Sequence, residues 1–279
     1  MLAVLLAAAA VLQLSPAQLD GEIARTHRLP SVGSRIERLS ALFVGVPYGD
    51  FPLGEGGVGP EPQARWRVDA VDCQTFVETV LAMANAGSLS NAQAVLDDIR
   101  YAHTPPRVGF ATRNHFTEAQ WLPSNEAKGY LRERTAEIDP GAPSAQLLLR
   151  REQWSELPAL RRLAAAEVPE GSFAIRYLTL DRARAVVRRI EPGTVLMVVR
   201  AQDPKRVVRV SHMGFVVRDG HGKKVVRHAS FGAEKKVIDV PLADFLELQR
   251  TYQKWPVVGI ALATPLDASG RVAQLAASR

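Results

Sequence analysis

The chain has 279 residues, 47% of them hydrophobic, and its 35 Lys and Arg against 29 Asp and Glu give a formal charge of +6. This composition excludes a disordered chain, and the length predicts one domain with a sizeable core. The basic residues are scattered among acidic ones and form no nucleic-acid-binding signature, so we expect no nucleic-acid partner. In an exported protein, such a charge favours attraction to an anionic cell envelope.

The N-terminal segment is the first element in chain order. Residues 2–14 form an almost unbroken run of Leu, Ala and Val, too short to cross a membrane as a stable helix. The run ends in a Ser-Pro-Ala step, with small residues where signal peptidase reads the chain. We therefore interpret residues 1–17 as a secretory signal peptide, with a buried N-terminal helix as the alternative. Residues 18–279 then form a single periplasmic or extracellular domain with no stable membrane anchor.

Helical spacing next predicts a helix over residues 31–44 and a loop rich in Gly and Pro over residues 45–62. A second helix begins at Cys73, the only cysteine of the chain. The apolar residues that follow it at helical spacing are Phe76, Val77, Val80, Leu81 and Ala84.

Cys73 is the first candidate for chemistry. Asp72 is a plausible N-cap, which places Cys73 in the first helical turn beside unpaired backbone N–H groups. That position lowers the pKa of a thiol and raises its fraction of nucleophilic thiolate. In an exported protein, a single cysteine cannot form an internal disulfide. This favours a catalytic thiol over the alternative, a buried structural cysteine.

Three further segments precede the strands. A capping box at Ser90 predicts a helix that buries Val95, Leu96 and Ile99. A polar and aromatic stretch without periodicity follows, and residues 146–190 predict a surface helix and a connector.

The C-terminal part changes to strand periodicity. We predict strands over the segments 194–200, 206–218, 223–229, 237–240 and 257–263, the second and third joined as a hairpin by a Gly-rich turn. Helices followed by an antiparallel sheet define the α+β class.

The predicted hairpin carries the second half of the chemistry. A three-residue loop over 219–221 would place His212 directly opposite His228 on one face of the sheet, whereas a two-residue loop would separate them onto opposite faces. On one face, His212 can accept the proton of Cys73 while His228 holds the other ring nitrogen. The alternative is a pair of structural histidines.

Zinc binding is a competing interpretation of the same residues. Cys73, His115, His212 and His228 are ligand types for zinc, but the chain contains no HExxH or CxxC motif. We therefore expect no metal and no cofactor.

Three blocks of sequence resemble the N-acetylmuramoyl-L-alanine amidase-like family, a branch of the NlpC-type papain-like cell-wall hydrolases. The blocks are Pro52-Leu53-Gly54-Glu55-Gly56 with the run from Asp72 to Thr79, Ile99-Arg100-Tyr101 with Arg113-Asn114-His115-Phe116, and the run from Ser211 to Val216 with Arg227-His228-Ala229-Ser230. The Gly45-Val46-Pro47-Tyr48 segment also resembles the Gly-x-Pro-Tyr lead-in of the superfamily. Gln74 departs from the pattern, since the superfamily usually has Ser there and this branch commonly Thr.

The resemblance implies a papain-like cysteine amidase that cleaves the bond between N-acetylmuramic acid and L-alanine in peptidoglycan or its fragments. Cys73, His212 and His228 are the implied catalytic residues. Those implied to line the substrate site are Tyr48, Asp72, Arg113, Asn114, His115 and Ser211. We expect a monomer that acts without a cofactor.

Two other functions remain open from sequence. The first keeps the fold but cleaves the γ-D-glutamyl–diaminopimelate bond. The second is a non-catalytic exported protein that binds peptidoglycan.

Overall fold

The computed structural model describes residues 9–57, 59–103, 107–158 and 160–277. The α-helices are α1 (Pro16–His27), α2 (Val32–Ala41), α3 (Cys73–Asn85), α4 (Leu89–Arg100), α5 (Leu122–Ala127), α6 (Thr135–Ile138), α7 (Arg151–Ser155), α8 (Leu180–Ala185), α9 (Leu242–Arg250) and α10 (Ser269–Ala277). The strands are β1 (Leu131–Glu133), β2 (Ser144–Leu149), β3 (Gly171–Arg176), β4 (Val195–Arg200), β5 (Val210–Arg218), β6 (Lys224–Ala229), β7 (Val237–Pro241) and β8 (Val257–Pro265). Short 3₁₀ turns span Ala10–Gln13, Phe110–Thr112, Ala165–Glu167 and Val187–Arg189, and Thr117–Trp121 is a π-helix.

Six strands form one sheet in the order β1-β8-β4-β5-β6-β7, and every neighbouring pair is antiparallel. The predicted α+β class with an antiparallel sheet is therefore confirmed. The strand β1, which the sequence did not reveal, extends one edge through a short ladder with β8.

The two faces of this sheet are covered by different helices. On one face, α3 packs against β5, where the Phe76 ring meets Phe215 with centroids 5.8 Å apart. On the other face, Leu196, Val198 and Val216 form a core with residues of α8 and α9. Alternating side chains of each central strand are thus buried on both sides, as expected for strands covered by helices on both faces.

Residues 146–190 differ from the prediction of a surface helix and connector. Strands β2 and β3 form a separate two-stranded antiparallel sheet across this region. The burial of β2 alternates, with Ala145, Leu147 and Leu149 inside and Leu148 exposed. Leucine is a good helix former, and a run this short does not distinguish the two periods, so pairing with β3 decides the structure.

Helix α4 begins at Leu89 with Ser88 as its N-cap, two residues before the predicted cap Ser90. Its predicted buried face is confirmed, because Val95, Leu96 and Ile99 are fully buried.

The predicted signal segment lies partly outside the described residues, which begin at residue 9. Of its described part, Ala9 and Val11 are buried in the main core, and the Val11 N–H donates to Leu42 O at 2.9 Å. Ser15 caps α1 and Pro16 occupies its first turn. Among the described residues, no helix has the length and apolarity to span a membrane.

Candidate active site

The start of α3 is fixed by a capping box around Cys73. The Asp72 carboxylate accepts from the Thr75 N–H at 2.7 Å, and the Asp72 N–H donates to Thr75 Oγ1 at 2.9 Å. Two backbone donors at the helix start are thereby satisfied by side chains. The prediction that Asp72 is the N-cap of a helix beginning at Cys73 is confirmed.

The sulfur of Cys73 lies among backbone N–H groups from two elements. Those of Cys73 and Gln74 come from the start of α3, and that of Met213 comes from β5. All three favour a thiolate, but burial of the thiol and the nearby Asp72 charge outweigh them and raise the pKa of Cys73 to about 12. The expected low thiol pKa is therefore wrong, because desolvation of the thiol exceeds the helix-terminus effect.

Tyr48 lies within electrostatic reach of Cys73. Tyr48 and Val71 form an isolated parallel bridge, which holds the beginning of the 45–62 loop against the segment just before Cys73. Burial and the charges of Cys73 and Asp72 raise the pKa of the Tyr48 phenol. The hydroxyl therefore remains protonated at neutral pH and can donate a hydrogen bond.

The two strand histidines contact each other directly. His212 Nε2 lies 2.8 Å from His228 Nδ1, and the ring centroids are 4.8 Å apart. The hairpin pairs Phe215 with Arg227 and Arg218 with Lys224, so its loop has five residues, 219–223, instead of three. An odd loop keeps both histidines on one face, but the longer loop makes them diagonal neighbours instead of directly opposite residues.

Gly214 makes the contact between His212 and His228 sterically possible. In the observed register, residue 214 faces His228, and a Cβ added at Gly214 would lie 2.8 Å from the Cβ of His228 and 2.7 Å from Arg227 O. Because glycine leaves this space open, the His228 side chain can lean across the position toward His212. The irregularity in the β4–β5 register between Val198 and Val199 also falls beside His212.

Phe245 of α9 covers both imidazole rings. Its ring is stacked on His212 at a centroid distance of 6.4 Å and meets His228 edge-on at 5.3 Å. Burial lowers the pKa of His212 to about 3, helped by the charges of His228 and Arg200. Burial likewise lowers the pKa of His228 to about 4, so both rings are neutral at neutral pH.

A polar cavity of about 170 Å³ adjoins the start of α3. Four of the predicted substrate-site residues line it together, namely Asp72, Arg113, Asn114 and His115. The remaining lining residues are Phe51, Leu53, Glu61, Gln74, Thr75, Glu78 and Arg100.

Arg100 and Glu78 form a buried ion pair in this cavity wall. Arg100 Nη1 lies 2.8 Å from Glu78 Oε2, and both side chains are at most 4% exposed. Glu78 also accepts from Trp121 Nε1 at 2.8 Å and from Gln74 Nε2 at 3.0 Å. The side chain of Gln74, which departs from the family pattern, is therefore tied to the ion pair, while its backbone N–H lies at the Cys73 sulfur.

Arg113 is held by two carboxylates. It lies 3.2 Å from Glu55 Oε1 and 2.7 Å from Glu61 Oε2, both from the Gly-rich loop. Burial raises the pKa of Glu55 in spite of Arg113. Gly54 allows this arrangement, because a Cβ there would overlap Glu61 O.

Asn114 and His115 are fixed mainly by backbone contacts. Asn114 Nδ2 donates to Ile99 O at 3.3 Å, while its Oδ1 is buried without a hydrogen-bond partner in the described part of the chain. His115 Nε2 donates to Phe110 O at 2.5 Å, and burial lowers the pKa of His115 to about 3.

Ser211 is not brought to this cavity. Its hydroxyl accepts from Arg200 Nε at 2.7 Å, and it lines a different cavity beside β5. Within the described ranges, no three His, Cys, Asp or Glu side chains are placed to hold one metal ion.

Sequence reasoning missed Glu78, Gly214 and Phe245 as site residues. Glu78 had a signal, because it is a charged residue among the apolar positions of α3. Gly214 lies within the family-like run from Ser211 to Val216, but its role depends on a strand register that the sequence leaves open. Phe245 had no signal, since an aromatic residue on an amphipathic helix is ordinarily core.

The AmiA-like family, described as N-acetylmuramoyl-L-alanine amidase-like, matches residues 38–252. The chain belongs to this family. Its fold is also similar to solved structures. A Legionella pneumophila protein assigned to the family DUF1460 is 27% identical with a TM-score of 0.78, over 93% of this chain and 97% of that one. No curated protein matches the chain.

Two more distant structures support the AmiA-like fold alone. A Bacteroides uniformis N-acetylmuramoyl-L-alanine amidase is 23% identical with a TM-score of 0.68, covering 84% of this chain and 99% of that one. A Bacteroides fragilis protein provisionally named a xylanase is 23% identical with a TM-score of 0.62, covering 81% and 98%.

Proposed function

We propose that this member of the AmiA-like family is an exported cysteine amidase with an NlpC-type papain-like site. It hydrolyses the amide between N-acetylmuramic acid and L-alanine in peptidoglycan or its fragments. Cys73 is the nucleophile, His212 is the general base and acid, and His228 orients His212. Residues 1–17 are its export signal in this proposal.

The observation that carries the proposal is the meeting of α3 and β5. The Met213 N–H reaches the sulfur of Cys73, and Met213 directly follows His212. The nucleophile and the strand that bears the base are therefore adjacent, and a second histidine bonds that base at 2.8 Å. The match to an N-acetylmuramoyl-L-alanine amidase-like family supports an amide as the bond that is cleaved.

The orienting role fixes the tautomers. His212 Nε2–H must donate to His228 Nδ1, which leaves the lone pair of His212 Nδ1 to accept a proton. His228 then carries its own proton on Nε2, a buried atom without a hydrogen-bond partner among the described residues.

The reaction starts from a neutral thiol and a neutral imidazole. The thiol proton passes to His212 as the sulfur attacks the carbonyl carbon, and the backbone N–H of Cys73 and the Tyr48 hydroxyl stabilise the oxyanion. Collapse of the intermediate breaks the C–N bond, and His212 gives its proton to the alanine nitrogen. His212 then takes a proton from water, whose oxygen attacks the thioester carbon. The C–S bond breaks, His212 returns its proton to the Cys73 sulfur, and the carboxylic acid of the muramoyl group is released.

Mass spectrometry of muramoyl-peptide fragments tests this proposal. The wild type should release a free peptide that begins at L-alanine, and Cys73→Ala should release none while its circular dichroism spectrum and thermal unfolding stay close to those of the wild type. Cleavage inside the stem peptide would instead indicate the γ-D-glutamyl–diaminopimelate endopeptidase. No product from fragments or intact sacculi would indicate a non-catalytic binding protein.

A further inference from the structure

A second cavity, of about 260 Å³, lies at the N-terminal end of β5. One wall is apolar and includes Leu157, Val208 and Trp255. The polar part of its lining consists of Lys205, Arg206 and Ser211. We call this space the β5 cavity; it shares no described lining residue with the cavity at the start of α3.

Two arginines are held in place here: Arg206 lines the cavity, and Arg200 contacts two of its lining residues, Ser211 and Trp255. Arg200 donates from Nε to Ser211 Oγ at 2.7 Å and from Nη1 to Trp255 O at 2.6 Å, and its guanidinium lies over the Tyr252 ring at 4.4 Å. The guanidinium of Arg206 lies over the Trp255 ring at 4.9 Å. Such stacking restricts long side chains and reduces the entropy lost when an anion binds.

These charges are poorly compensated within the protein. No acidic residue is among the described lining of the β5 cavity. Arg206 Nε reaches Asp203 Oδ2 only at 3.9 Å, and Asp203 lines a neighbouring cavity instead. In the ranges that the structure describes, no carboxylate lies within 4.0 Å of the cationic groups of Arg200 or Lys205. The cavity therefore favours an anion.

The β5 cavity lies close to the proposed catalytic centre. Ser211 precedes His212 and stands two residues before Met213, whose N–H faces the Cys73 sulfur. Two residues of extended chain span about 7 Å. The charge of Arg200 also helps to lower the pKa of His212, which places the two side chains within electrostatic reach.

The role of His212 as general acid indicates which part of the substrate lies near the β5 cavity. His212 must approach the nitrogen of the leaving peptide to protonate it, so that peptide leaves the centre on the β5 side. The acyl portion then lies toward the start of α3 and the cavity lined by Arg113 and Asn114. A stem peptide carries free carboxylates on short aliphatic chains, which match a cavity with basic and apolar walls.

We infer that the β5 cavity is a binding site for a carboxylate of the leaving peptide, held by Lys205 and Arg206, with Arg200 fixing the lining residues Ser211 and Trp255 from behind. This inference rests on the proposed function, because it takes the substrate to be a muramoyl peptide. It makes the protein selective for acidic stem peptides over amidated ones.

The test measures binding separately from turnover. Two probes are titrated calorimetrically into Cys73→Ala protein: N-acetylmuramoyl-L-alanyl-D-glutamate and the same compound with both glutamate carboxylates amidated. Adding Lys205→Gln and Arg206→Gln should weaken binding of the acid about tenfold and leave the diamide unchanged. The matched control adds Arg188→Gln and Arg189→Gln, two exposed residues outside the cavity lining, and should change neither probe.

Equal weakening of both probes, or no change in either, would overturn the inference. If the wild type hydrolyses the acid but the cavity variant binds it as tightly as the control does, the inference fails and the amidase proposal stands. If the wild type hydrolyses neither probe while binding of the acid still depends on Lys205 and Arg206, the cavity assignment stands and the amidase proposal fails.

Discussion

The two sides of the candidate site are built by different physical means. On the α3 side, buried ion pairs hold the cavity wall, with Arg100 on Glu78 and Arg113 between Glu55 and Glu61. On the β5 side, two neutral imidazoles are held by a glycine gap and an aromatic cover. Charge pairs hold polar side chains in the wall of the cavity at the start of α3, whereas burial keeps the two histidines in their neutral form. Substitutions on the β5 side should therefore reduce activity first, and substitutions on the α3 side should reduce stability first.

The largest effect is expected from the base on the β5 side. His212→Ala should lower kcat/KM by about 10³-fold, within the range for loss of a general acid–base group. His228→Ala should lose less, about 10- to 100-fold, because it removes only orientation. His228→Asn should recover part of that loss, since its Oδ1 can stand where Nδ1 accepts the bond. Steady-state kinetics on the fragment that the wild type cleaves provides the comparison, and equal losses for the two alanine variants would remove the orienting role.

On the α3 side, a substitution should affect stability first. Glu78→Leu leaves the Arg100 charge buried without its carboxylate, and we expect the free energy of unfolding to fall by about 3–5 kcal/mol. Urea unfolding followed by circular dichroism measures this.

A paired substitution provides the control for that experiment. Glu78→Leu combined with Arg100→Leu removes both charges and should recover much of the loss, because a buried pair contributes little net stability relative to apolar residues. A double variant as unstable as the sum of both single variants would contradict the coupling.

Gly214→Ala tests the gap beneath the histidine pair. The added methyl group would crowd His228 and Arg227 O, so we expect about 1–3 kcal/mol of destabilisation and a loss of kcat/KM similar to that of His228→Ala. Gly220→Ala is the control, because a Cβ at this hairpin-loop glycine meets open space. Unchanged activity in Gly214→Ala would show that the gap does not position His228.

The last prediction is a pH dependence of stability. Burial lowers the pKa of His228 to about 4 from its ordinary 6.5, so the folded state binds this proton less readily than the unfolded state does. The stability that the neutral ring contributes is complete above pH 6.5 and is lost as the pH falls toward 4, by up to about 1.4 kcal/mol per pH unit. His228→Asn should therefore show a shallower acid-side decline of unfolding free energy in urea titrations at several pH values. Identical slopes for the two proteins would contradict a buried neutral His228.

The predictability of the two sides also differs. The start of α3 was predictable because its signals are local: Asp72 caps the helix, and apolar spacing identifies its buried face. The ion pairs of the cavity wall were not predictable, because Arg100 and Arg113 pair with carboxylates from distant segments of the chain. The direction of the Cys73 pKa shift was also missed, since burial is a tertiary property that the helix terminus does not reveal.

On the β5 side, the strands followed from the sequence, but the loop length that places both histidines on one face, and with it their register, did not. A Gly-rich turn permits loops of three or five residues, and only the ladder itself selects five. The sheet formed by β2 and β3 was missed entirely, because its short Leu-rich run fits either period.

The central claim is that Cys73 attacks the substrate, and intact-protein mass spectrometry after rapid acid quenching tests it most directly. With one cysteine in the chain, a thioester can form at a single residue. During turnover of a muramoyl peptide, the wild type should show an added mass equal to the muramoyl acyl group, absent in Cys73→Ala, which forms no product. Product release by Cys73→Ala at the wild-type rate would contradict the account.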